Sequence, residues 1–496
     1  MTALLITGIL YLVVLLVLGI VARRATNRQE ATTARAYMLE YYLAGRKLGW
    51  VALLFTTAAT FYSAGTFIGA PGLAFDAGYV WPLAVAPQHL AMAILFLLTG
   101  AKFAIVARKL GFITPMDFFR ARYRSTPVVL IGGLATVFFL IVYIAPQFVG
   151  GARIFESATG LPYTTTLIVF LVVVSAYTIY GGFRAVVMTD ILQGVAMTAG
   201  AIALWAFIIA RVGDLEPVHR DIAQTDPDLL HLGTGAFAIV ITGYVTFSLS
   251  GVAQPQIMLR AMAYRTSKDM YRAVVAGVLV VTLFSSTFMI LGVIARGLFP
   301  DLDTPDQAIP NLILTYVPSA LAGLVLAAPL AAVMSTIDSM LLLNTSVVAK
   351  DIYVNYINKN ASIKQVKVVS VVAGIVMTLI VLWLTLEPPA FLETLVIYAL
   401  GGLTATFWAP LLFGLYWKRG NKYGALASML GGIPVYVLLD RLVDTGDLGA
   451  VVIALPVAIV LYVVVSLLTP PPPREVIQDF WGRRPASVPA SDAAEG

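Results

Sequence analysis

The sequence predicts an all-α polytopic membrane protein, and three observations support this fold class. Apolar residues make up 59% of the 496 residues and charged residues 12%, and the mean hydropathy is +0.89. Apolar runs of about 20 residues, the length of a membrane-spanning helix, recur along the chain. Between Asp306 and Lys350 the only ionisable side chain is Asp338, deep inside such a run. Too little polar surface remains to cover a soluble globule.

Thirteen runs are expected to be transmembrane helices. They are residues 3–22, 49–74, 79–101, 127–150, 162–180, 189–210, 235–256, 273–295, 312–348, 367–386, 391–416, 423–440 and 448–468. All but five of the 32 Lys and Arg residues fall on one side of this arrangement; the exceptions are Arg153, Arg211, Arg220, Arg296 and Arg441. Because cytoplasmic loops are rich in Lys and Arg, the N-terminus is expected outside and the C-terminus in the cytoplasm.

Residues 1–468 are predicted to form one transmembrane domain, followed by a disordered cytoplasmic tail at 469–496. The tail begins with Pro470 to Pro473 and continues in Ala, Ser and Pro, a composition that does not bury a core. The first run is followed by Arg23 and Arg24, so it is expected to be a retained helix and not a cleaved signal. The basic residues are scattered at helix ends, which predicts contact with the bilayer and neither a nucleic-acid nor an obligate protein partner.

Several classes of chemistry are excluded. The chain has no cysteine, and its three histidines, His89, His219 and His231, are far apart. It also lacks a Gly-x-x-x-x-Gly-Lys-Ser/Thr loop for nucleotide phosphates. Thiol chemistry, local zinc sites and ATP-driven pumping are therefore not expected, and the protein is not predicted to be an enzyme.

Two of the runs contain segments that disfavour a continuous helix. The second run has Ala59-Thr-Phe-Tyr-Ser-Ala-Gly65 and Gly69-Ala-Pro-Gly72, and the seventh has Ser248-Leu-Ser-Gly251 and Gln254-Pro-Gln256. Unwound backbone is tolerated at membrane depth only where it is buried or lines a cavity, and its carbonyls can then bind cations. The pair predicts an inverted-repeat transporter. The alternative is two kinks without a ligand.

The ninth run supplies hydroxyl groups that could complete a cation site. Ser335 and Thr336 are adjacent, and Ser339 follows one turn after Ser335. Neutral oxygens suit a hard cation such as sodium, although such hydroxyls also bond to their own helix or to a neighbouring one. Asp338 is a functional-site candidate by its depth. It could line the cavity and respond to sodium, or make a polar contact between helices.

Several segments in order along the chain resemble the sodium:solute symporter family. They are Tyr42-Leu-Ala-Gly-Arg46, Phe67-Ile-Gly-Ala-Pro-Gly72, Tyr180-Gly-Gly-Phe-Arg-Ala-Val-Val-Met-Thr-Asp190, Gln254-Pro-Gln-Ile-Met-Leu-Arg260, and Ala331-Ala-Val-Met-Ser-Thr336 with Lys350-Asp351. Within the family, the chain is most similar to the sodium/pantothenate symporters. That likeness lies in Gln147-Phe-Val-Gly-Gly-Ala-Arg153, Gly160-Leu-Pro-Tyr163, Pro300-Asp-Leu-Asp-Thr-Pro305 and Ile309-Pro310.

The resemblance implies a LeuT-type fold, in which spans two to eleven (residues 49–416) form a five-plus-five inverted repeat. It also implies a sodium site built from the carbonyls of Ala59, Tyr62 and Ala332 and the hydroxyls of Ser335 and Thr336.

Two charged positions are also matched. Asp190 corresponds to a family aspartate linked to sodium passage, and Arg46 to an arginine at the cytoplasmic entrance of span two. For both, the alternative is a structural charge at a helix end, with Arg184 and Arg46 as partners of Asp190.

The predicted function is sodium-coupled import of a small organic acid across the cell membrane. Ser250 replaces an aromatic inner gate and Thr66 a glutamine of sugar-transporting members, which disfavours a sugar. Pantothenate is the first candidate, and a monocarboxylate such as lactate, pyruvate or acetate the second. A membrane solute sensor and a channel are the alternatives from other classes. The residues expected to line the substrate site are Ser63, Thr66, Tyr143, Gln147, Ser250 and Gln254.

Overall fold

A computed structural model describes residues 10–11, 13–21, 33–88, 93–94, 96–233, 236–387, 392–443 and 446–482. Within these ranges the chain is almost entirely helical, and an isolated bridge between Leu48 and Tyr264 is the only β-type pairing. The predicted all-α class is therefore confirmed.

The helices of the first half are named in chain order, after a short helical stretch at residues 13–21. They are α1 Ala34–Leu43, α2 Trp50–Phe61, α3 Ala70–Ala77, α4 Val80–Val85, α5 Ala101–Leu110, α6 Met116–Tyr123, α7 Thr126–Thr159, α8 Tyr163–Val212, α9 Glu216–Thr225 and α10 Ala236–Ser250.

The helices of the second half continue the numbering. They are α11 Pro255–Ala263, α12 Ser267–Leu298, α13 Ala308–Tyr316, α14 Ser319–Ser346, α15 Ile363–Thr385, α16 Leu392–Tyr416, α17 Lys422–Leu442, α18 Gly446–Leu468 and α19 Arg474–Trp481. Wider π-helical turns occur at Gly65–Gly69, Phe96–Gly100 and Val347–Ile357.

Nine helices in the described ranges are long and apolar enough to cross a bilayer. A tenth candidate is the pair Trp50–Phe61 and Gly65–Ala77, which is bent by 61° at its break. Predicted spans one and three lie partly outside the described residues, so the count of thirteen stays a prediction.

Predicted spans five and six are joined in one helix, α8, and the loop expected between them is absent. The 50 residues of α8 would extend about 75 Å if straight, far beyond a hydrocarbon core of about 30 Å. The helix is interrupted at Gly182, whose φ of 67° and ψ of −174° avoid the helical region. A Cβ there would lie 2.6 Å from the Tyr41 ring. Glycine therefore replaces the expected loop with a one-residue kink.

The most extensive helix pair is α8 with α14. Gly200 allows the two to approach closely, because a Cβ there would lie 2.5 Å from that of Ala328. In α14, 89% of the most apolar window is buried, against 28% in α17 and 33% in α18. Helix α14 therefore lies at the centre of the bundle, and α17 and α18 lie at its edge.

The predicted disorder of the tail is wrong for Arg474–Trp481. These residues form α19, which buries Val476 and Phe480 at i, i+4 spacing. The Phe480 ring lies 5.7 Å from the Phe118 ring of α6, and Arg124 pairs with Glu475 at 2.6 Å. Residues 483–496 lie outside the described part of the chain.

Candidate functional site

The first broken helix unwinds at the predicted place. Helix α2 ends at Phe61, Tyr62 is extended with φ of −92° and ψ of 134°, and the helix resumes through the π-helical turn at Gly65. Glycine is required there by packing, because a Cβ on Gly65 would lie 2.0 Å from a carboxyl oxygen of Glu393. The absent side chain lets α16 approach the break.

Five oxygens meet where α14 crosses this break. Ser335 Oγ lies 2.9 Å from the Ala59 carbonyl and 3.0 Å from the Ala332 carbonyl. Thr336 Oγ1 lies 2.6 Å from the Tyr62 carbonyl and 2.9 Å from that of Ala332. All five residues are buried. The structure thus brings together the complete set predicted to bind sodium.

The proton content of this group fits a cation. A hydroxyl has one proton to donate, so Ser335 and Thr336 supply two protons for four close contacts with carbonyl oxygens. Bonds back to Ala332 alone would match the local back-bonding alternative. The added contacts to α2 instead create a pocket of neutral oxygens, which is the donor set that a hard cation prefers.

Three of the predicted substrate residues surround the same break. Gln147 Oε1 accepts a hydrogen bond from the Ala64 amide at 2.6 Å, and its Nε2 donates to the Tyr143 carbonyl at 3.2 Å. The Tyr143 hydroxyl lies near the side chains of Ser63 and Glu393. Glu393 is 4% exposed and was not predicted. The sequence could have indicated Glu393, because it is a carboxylate at the start of a mostly apolar run.

The other three predicted substrate residues are also buried. Thr66 lies in the π-helical turn of the first break, whereas Ser250 and Gln254 lie at the second break. Gln254 Oε1 accepts from Gln256 Nε2 at 2.8 Å. Gln254 is extended and follows the 3₁₀ turn Gly251–Ala253, so the second predicted break is also present.

Asp190 is fully buried and paired, but with a residue that the sequence did not indicate. Its Oδ2 accepts from Thr56 Oγ1 at 2.6 Å and from Arg260 Nη2 at 3.3 Å. The predicted partners are wrong: Arg184 pairs with Glu40 at 3.4 Å, and Arg46 donates to backbone carbonyls. The fold brings α11, which carries Arg260, against α2 and α8.

Arg260 is the functional candidate that sequence reasoning missed. It was assigned to a cytoplasmic loop by its charge, yet it is fully buried. Its Nε donates to the Thr56 carbonyl at 2.8 Å, its Nη1 to the Gln256 carbonyl at 3.0 Å and its Nη2 to Ser339 Oγ at 2.5 Å. Its position on the short helix after a broken span was the available signal. Ser339 lies one turn from Ser335, so the guanidinium reaches the neighbourhood of the oxygen group.

Asp338 makes a polar contact between helices. Its Oδ2 accepts a hydrogen bond from the Tyr177 hydroxyl at 2.8 Å, and its Oδ1 accepts one from the Thr178 hydroxyl. Tyr177 and Thr178 both lie on α8, whereas Asp338 lies on α14. The residue is fully buried. This arrangement favours the helix-contact alternative over a group that faces a cavity.

Arg46 lies apart from the oxygen group, after α1. Its φ is 59°, and its Nη2 donates to the carbonyls of Phe112 and, at 3.4 Å, Ala107. Burial, together with the charges of Arg108 and Arg35, lowers the pKa of Arg46 to about 10. Its role at an entrance stays a prediction.

Known proteins resemble this chain in sequence and in fold. The sequence pattern of the sodium:solute symporter family matches residues 41–432. A sodium/pantothenate symporter of Haemophilus influenzae is 34% identical over 82% of this chain and 85% of its own length. One of Escherichia coli K12 is 34% identical over 87% and 89%. A sodium/proline symporter of Escherichia coli K12 is 29% identical over 87% and 86%.

Among solved structures, a sodium-coupled sialic acid symporter in a substrate-bound outward-open state matches with a TM-score of 0.76. Its identity is 22%, over 95% of this chain and 98% of that one. This likeness shows the fold, which is the LeuT-type architecture expected from the sequence. Fold, broken helices and sequence matches together define a sodium-coupled secondary transporter of the cell membrane, and not an enzyme. The chain belongs to the sodium:solute symporter family, with sodium as its coupling ion.

Proposed function

We propose that the protein imports pantothenate together with sodium by alternating access. The main support is the name that both 34% identical relatives carry, sodium/pantothenate symporter, over matches that cover at least 82% of this chain. An anion that enters alone against an inside-negative potential meets about 2.3 kcal/mol per 100 mV. A co-transported cation removes that cost.

The sodium site of this mechanism is formed by the carbonyls of Ala59, Tyr62 and Ala332 and the hydroxyls of Ser335 and Thr336. The observation that carries it is the contact of both α14 hydroxyls with carbonyls of the unwound α2. Sodium between these oxygens would link α14 to the broken helix. Rocking of one against the other, the usual motion of such repeats, would then depend on the ion.

Asp190 and Arg260 extend this site toward the cytoplasm. Thr60 Oγ1 lies 3.3 Å from Ser339 Oγ, and Ser339 contacts Arg260. A continuous set of polar side chains therefore leads from Ser335 to Asp190. Sodium that leaves along this path would compete with the Arg260 guanidinium for the carboxylate of Asp190.

A narrow cavity lies at the other end of the broken helix. Its lining includes Ile68 after the first break, Gly150, Arg153, Thr304 and Pro310. The last four belong to the segments that carry the pantothenate resemblance. The carboxyl group of Asp306 also lines the cavity, and Arg153 pairs with Glu156 at 2.8 Å. The two ionisable groups of the lining have opposite charge, so the support for pantothenate at this place is the sequence resemblance and not the charge of the cavity.

The membrane topology that we propose has thirteen spans, an outside N-terminus and a cytoplasmic C-terminus. The chain has no cysteine, so single cysteines report accessibility without background. Asp228→Cys should react with an impermeant thiol reagent added to intact cells, and Asn360→Cys only after permeabilisation. Both positions are exposed. The reverse pattern would invert the orientation.

The function is tested by uptake of radiolabelled pantothenate into proteoliposomes with and without an inward sodium gradient. Lactate, pyruvate, acetate and proline serve as parallel substrates. Saturable pantothenate uptake that needs sodium is the expected result. Uptake of only another solute under the same gradient would refute the substrate. Proline is the second candidate, because sodium/proline symporters are among the relatives.

A further inference from the structure

An open cleft of about 520 Å³ lies between α1, α5, α6, the end of α14 and α19. We name it the arginine cleft; its polar lining is Arg35, Asp117, Arg120, Arg124, Lys350 and Asn355, with Asp479 at its edge. Four cations and two carboxylates thus line it. The cleft is separate from the oxygen group at the first break.

Two of the four cations are already neutralised by carboxylates. Lys350 pairs with Asp117 and, at 3.1 Å, with Asp351. Arg124 pairs with Glu475 at 2.6 Å and with Asp479 at 3.2 Å. These pairs hold α6, α14 and α19 together and form the walls of the cleft.

The other two cations contact only neutral acceptors. Arg35 Nη2 donates to the Gly111 carbonyl at 3.0 Å, and Arg120 Nη1 donates to Asn355 Oδ1 at 2.6 Å. In the described part of the chain, neither guanidinium has a carboxylate within 4.0 Å. Most of the ten N-H groups of two guanidiniums are therefore left for a ligand.

Asn355 supplies an independent observation. Asn355 is 7% exposed. Its Oδ1 accepts a hydrogen bond from Arg120, whereas its buried Nδ2 has no hydrogen-bond acceptor among the described groups. A buried donor without a partner is destabilising. Asn355 lines the cleft, so an anion held by the two arginines would satisfy this donor once the amide turns toward the cleft.

We infer that the arginine cleft binds a phosphate-bearing anion through Arg35, Arg120 and Asn355. Arginine binds phosphate through two parallel N-H bonds, and a phosphate ester offers more acceptor oxygens than a carboxylate, which matches a donor-rich site. The cleft is larger than a phosphate ion and has room for a phosphate attached to an organic group. A phospholipid headgroup and a soluble phosphate ester share this chemistry.

The bound anion would tie α1 and α6 to the helix that carries Ser335 and Thr336. Arg35 comes from α1 and Arg120 from α6, while Asn355 lies in the π-helical continuation of α14. Binding therefore stabilises the arrangement of these elements and raises the unfolding temperature with the logarithm of ligand concentration once that concentration exceeds Kd.

Thermal unfolding of the purified full chain tests the inference in two arms. One arm titrates glycerol 3-phosphate into detergent-solubilised protein, with sodium chloride at matched ionic strength as the reference. The other raises the fraction of phosphatidylglycerol stepwise in nanodiscs of phosphatidylcholine. The variant is Arg35→Gln with Arg120→Gln. The charge-matched control is Lys268→Gln with Arg272→Gln, two exposed positions outside the cleft.

We expect a concentration-dependent rise in unfolding temperature in one arm, which identifies the source of the phosphate. The double cleft variant should need at least tenfold more ligand for the same rise, and the control should keep the wild-type response. If the double variant does not fold, Arg35→Gln alone, which leaves the Arg120 to Asn355 bond intact, provides the comparison. A rise in neither arm, or an unchanged response in the cleft variant, would overturn the inference.

Discussion

The two broken helices have opposite chemistry at related positions of the fold. At the first break the carbonyls of Ala59 and Tyr62 face hydroxyls of α14. At the second, the Gln254 carbonyl is already engaged by the amides of Ile257 and Met258, both at 3.1 Å. The first break therefore offers oxygens to a cation. At the second break, the Gln254 carbonyl accepts the first backbone hydrogen bonds of α11.

Helix α11 carries a cationic side chain, Arg260, at the second break. Arg260 lies on it and donates to the Thr56 carbonyl of α2, at 2.8 Å, and to Asp190. The difference teaches that the two breaks do not bind equivalent ligands. The first break is suited to a sodium ion that is transported, and the second holds the guanidinium of Arg260, which is part of the protein.

The largest effect is expected at the second break. Arg260→Gln leaves the buried Asp190 carboxylate unpaired, so we expect loss of about 3–5 kcal/mol of stability and of uptake. Asp190→Asn should slow turnover more than it weakens substrate binding. Combining the two should restore part of the stability, which thermal unfolding of the single and double variants measures. Equal stability of Arg260→Gln and the wild type would disprove the pairing.

At the first break, Ser335→Ala and Thr336→Ala each remove one proposed sodium ligand. Because a bond to a charged group contributes about 1.5–3 kcal/mol, we expect the sodium concentration for half-maximal uptake to rise about tenfold or more. Ser346→Ala, a buried hydroxyl of the same helix that donates to the Leu343 carbonyl at 2.7 Å, is the control and should keep the wild-type value. A variant at 335 or 336 with unchanged sodium dependence would assign that hydroxyl to packing.

The outer half of the first broken helix provides a pH test. Asp306 Oδ1 lies against Gly72, where a Cβ would come within 2.7 Å. Burial raises the pKa of Asp306 from 3.8 to about 7. A raised carboxyl pKa means that the folded state holds the proton more tightly, so this stability is present below pH 3.8 and is lost as the pH rises through 7.

The unfolding temperature should therefore fall between about pH 5 and about pH 8 in the wild type, and less in Asp306→Asn. Asp303→Asn, an exposed carboxylate of the same loop, should keep the wild-type slope. A parallel slope in the Asp306 variant would mean that another group causes the dependence.

The smallest effect is expected at Asp338, which contacts neither break. Asn can still accept from Tyr177 and bond to Thr178, so Asp338→Asn should change sodium activation less than twofold. Sodium titration of uptake measures it. A shift as large as that of Ser335→Ala would place the carboxylate in the ion site after all.

Local sequence was sufficient for the first break and its oxygen group. Gly65, Gly69 and Pro71 disfavour a continuous helix wherever they are packed, and Ser335 with Thr336 had a family pattern to match. Those features depend on neighbouring residues, so they could be read without the fold.

Other features depend on tertiary packing and could not be read in this way. Arg260 looked like a loop arginine because its burial requires Asp190 and Ser339 from distant helices. The missing loop at Gly182 follows from contact with Tyr41, 141 positions earlier. Glu393 at the first break is likewise brought there by the approach of α16 to Gly65 and Gly69.

Helix α19 decides how the C-terminus can be handled in the laboratory. A truncation after Leu468, which the proline run would invite, deletes both carboxylate partners of Arg124 and uncovers Phe118. Fluorescent or affinity tags joined directly at that point would replace a packed segment with a foreign one. Fusions placed after Gly482 keep the segment, so a purification handle belongs beyond that residue.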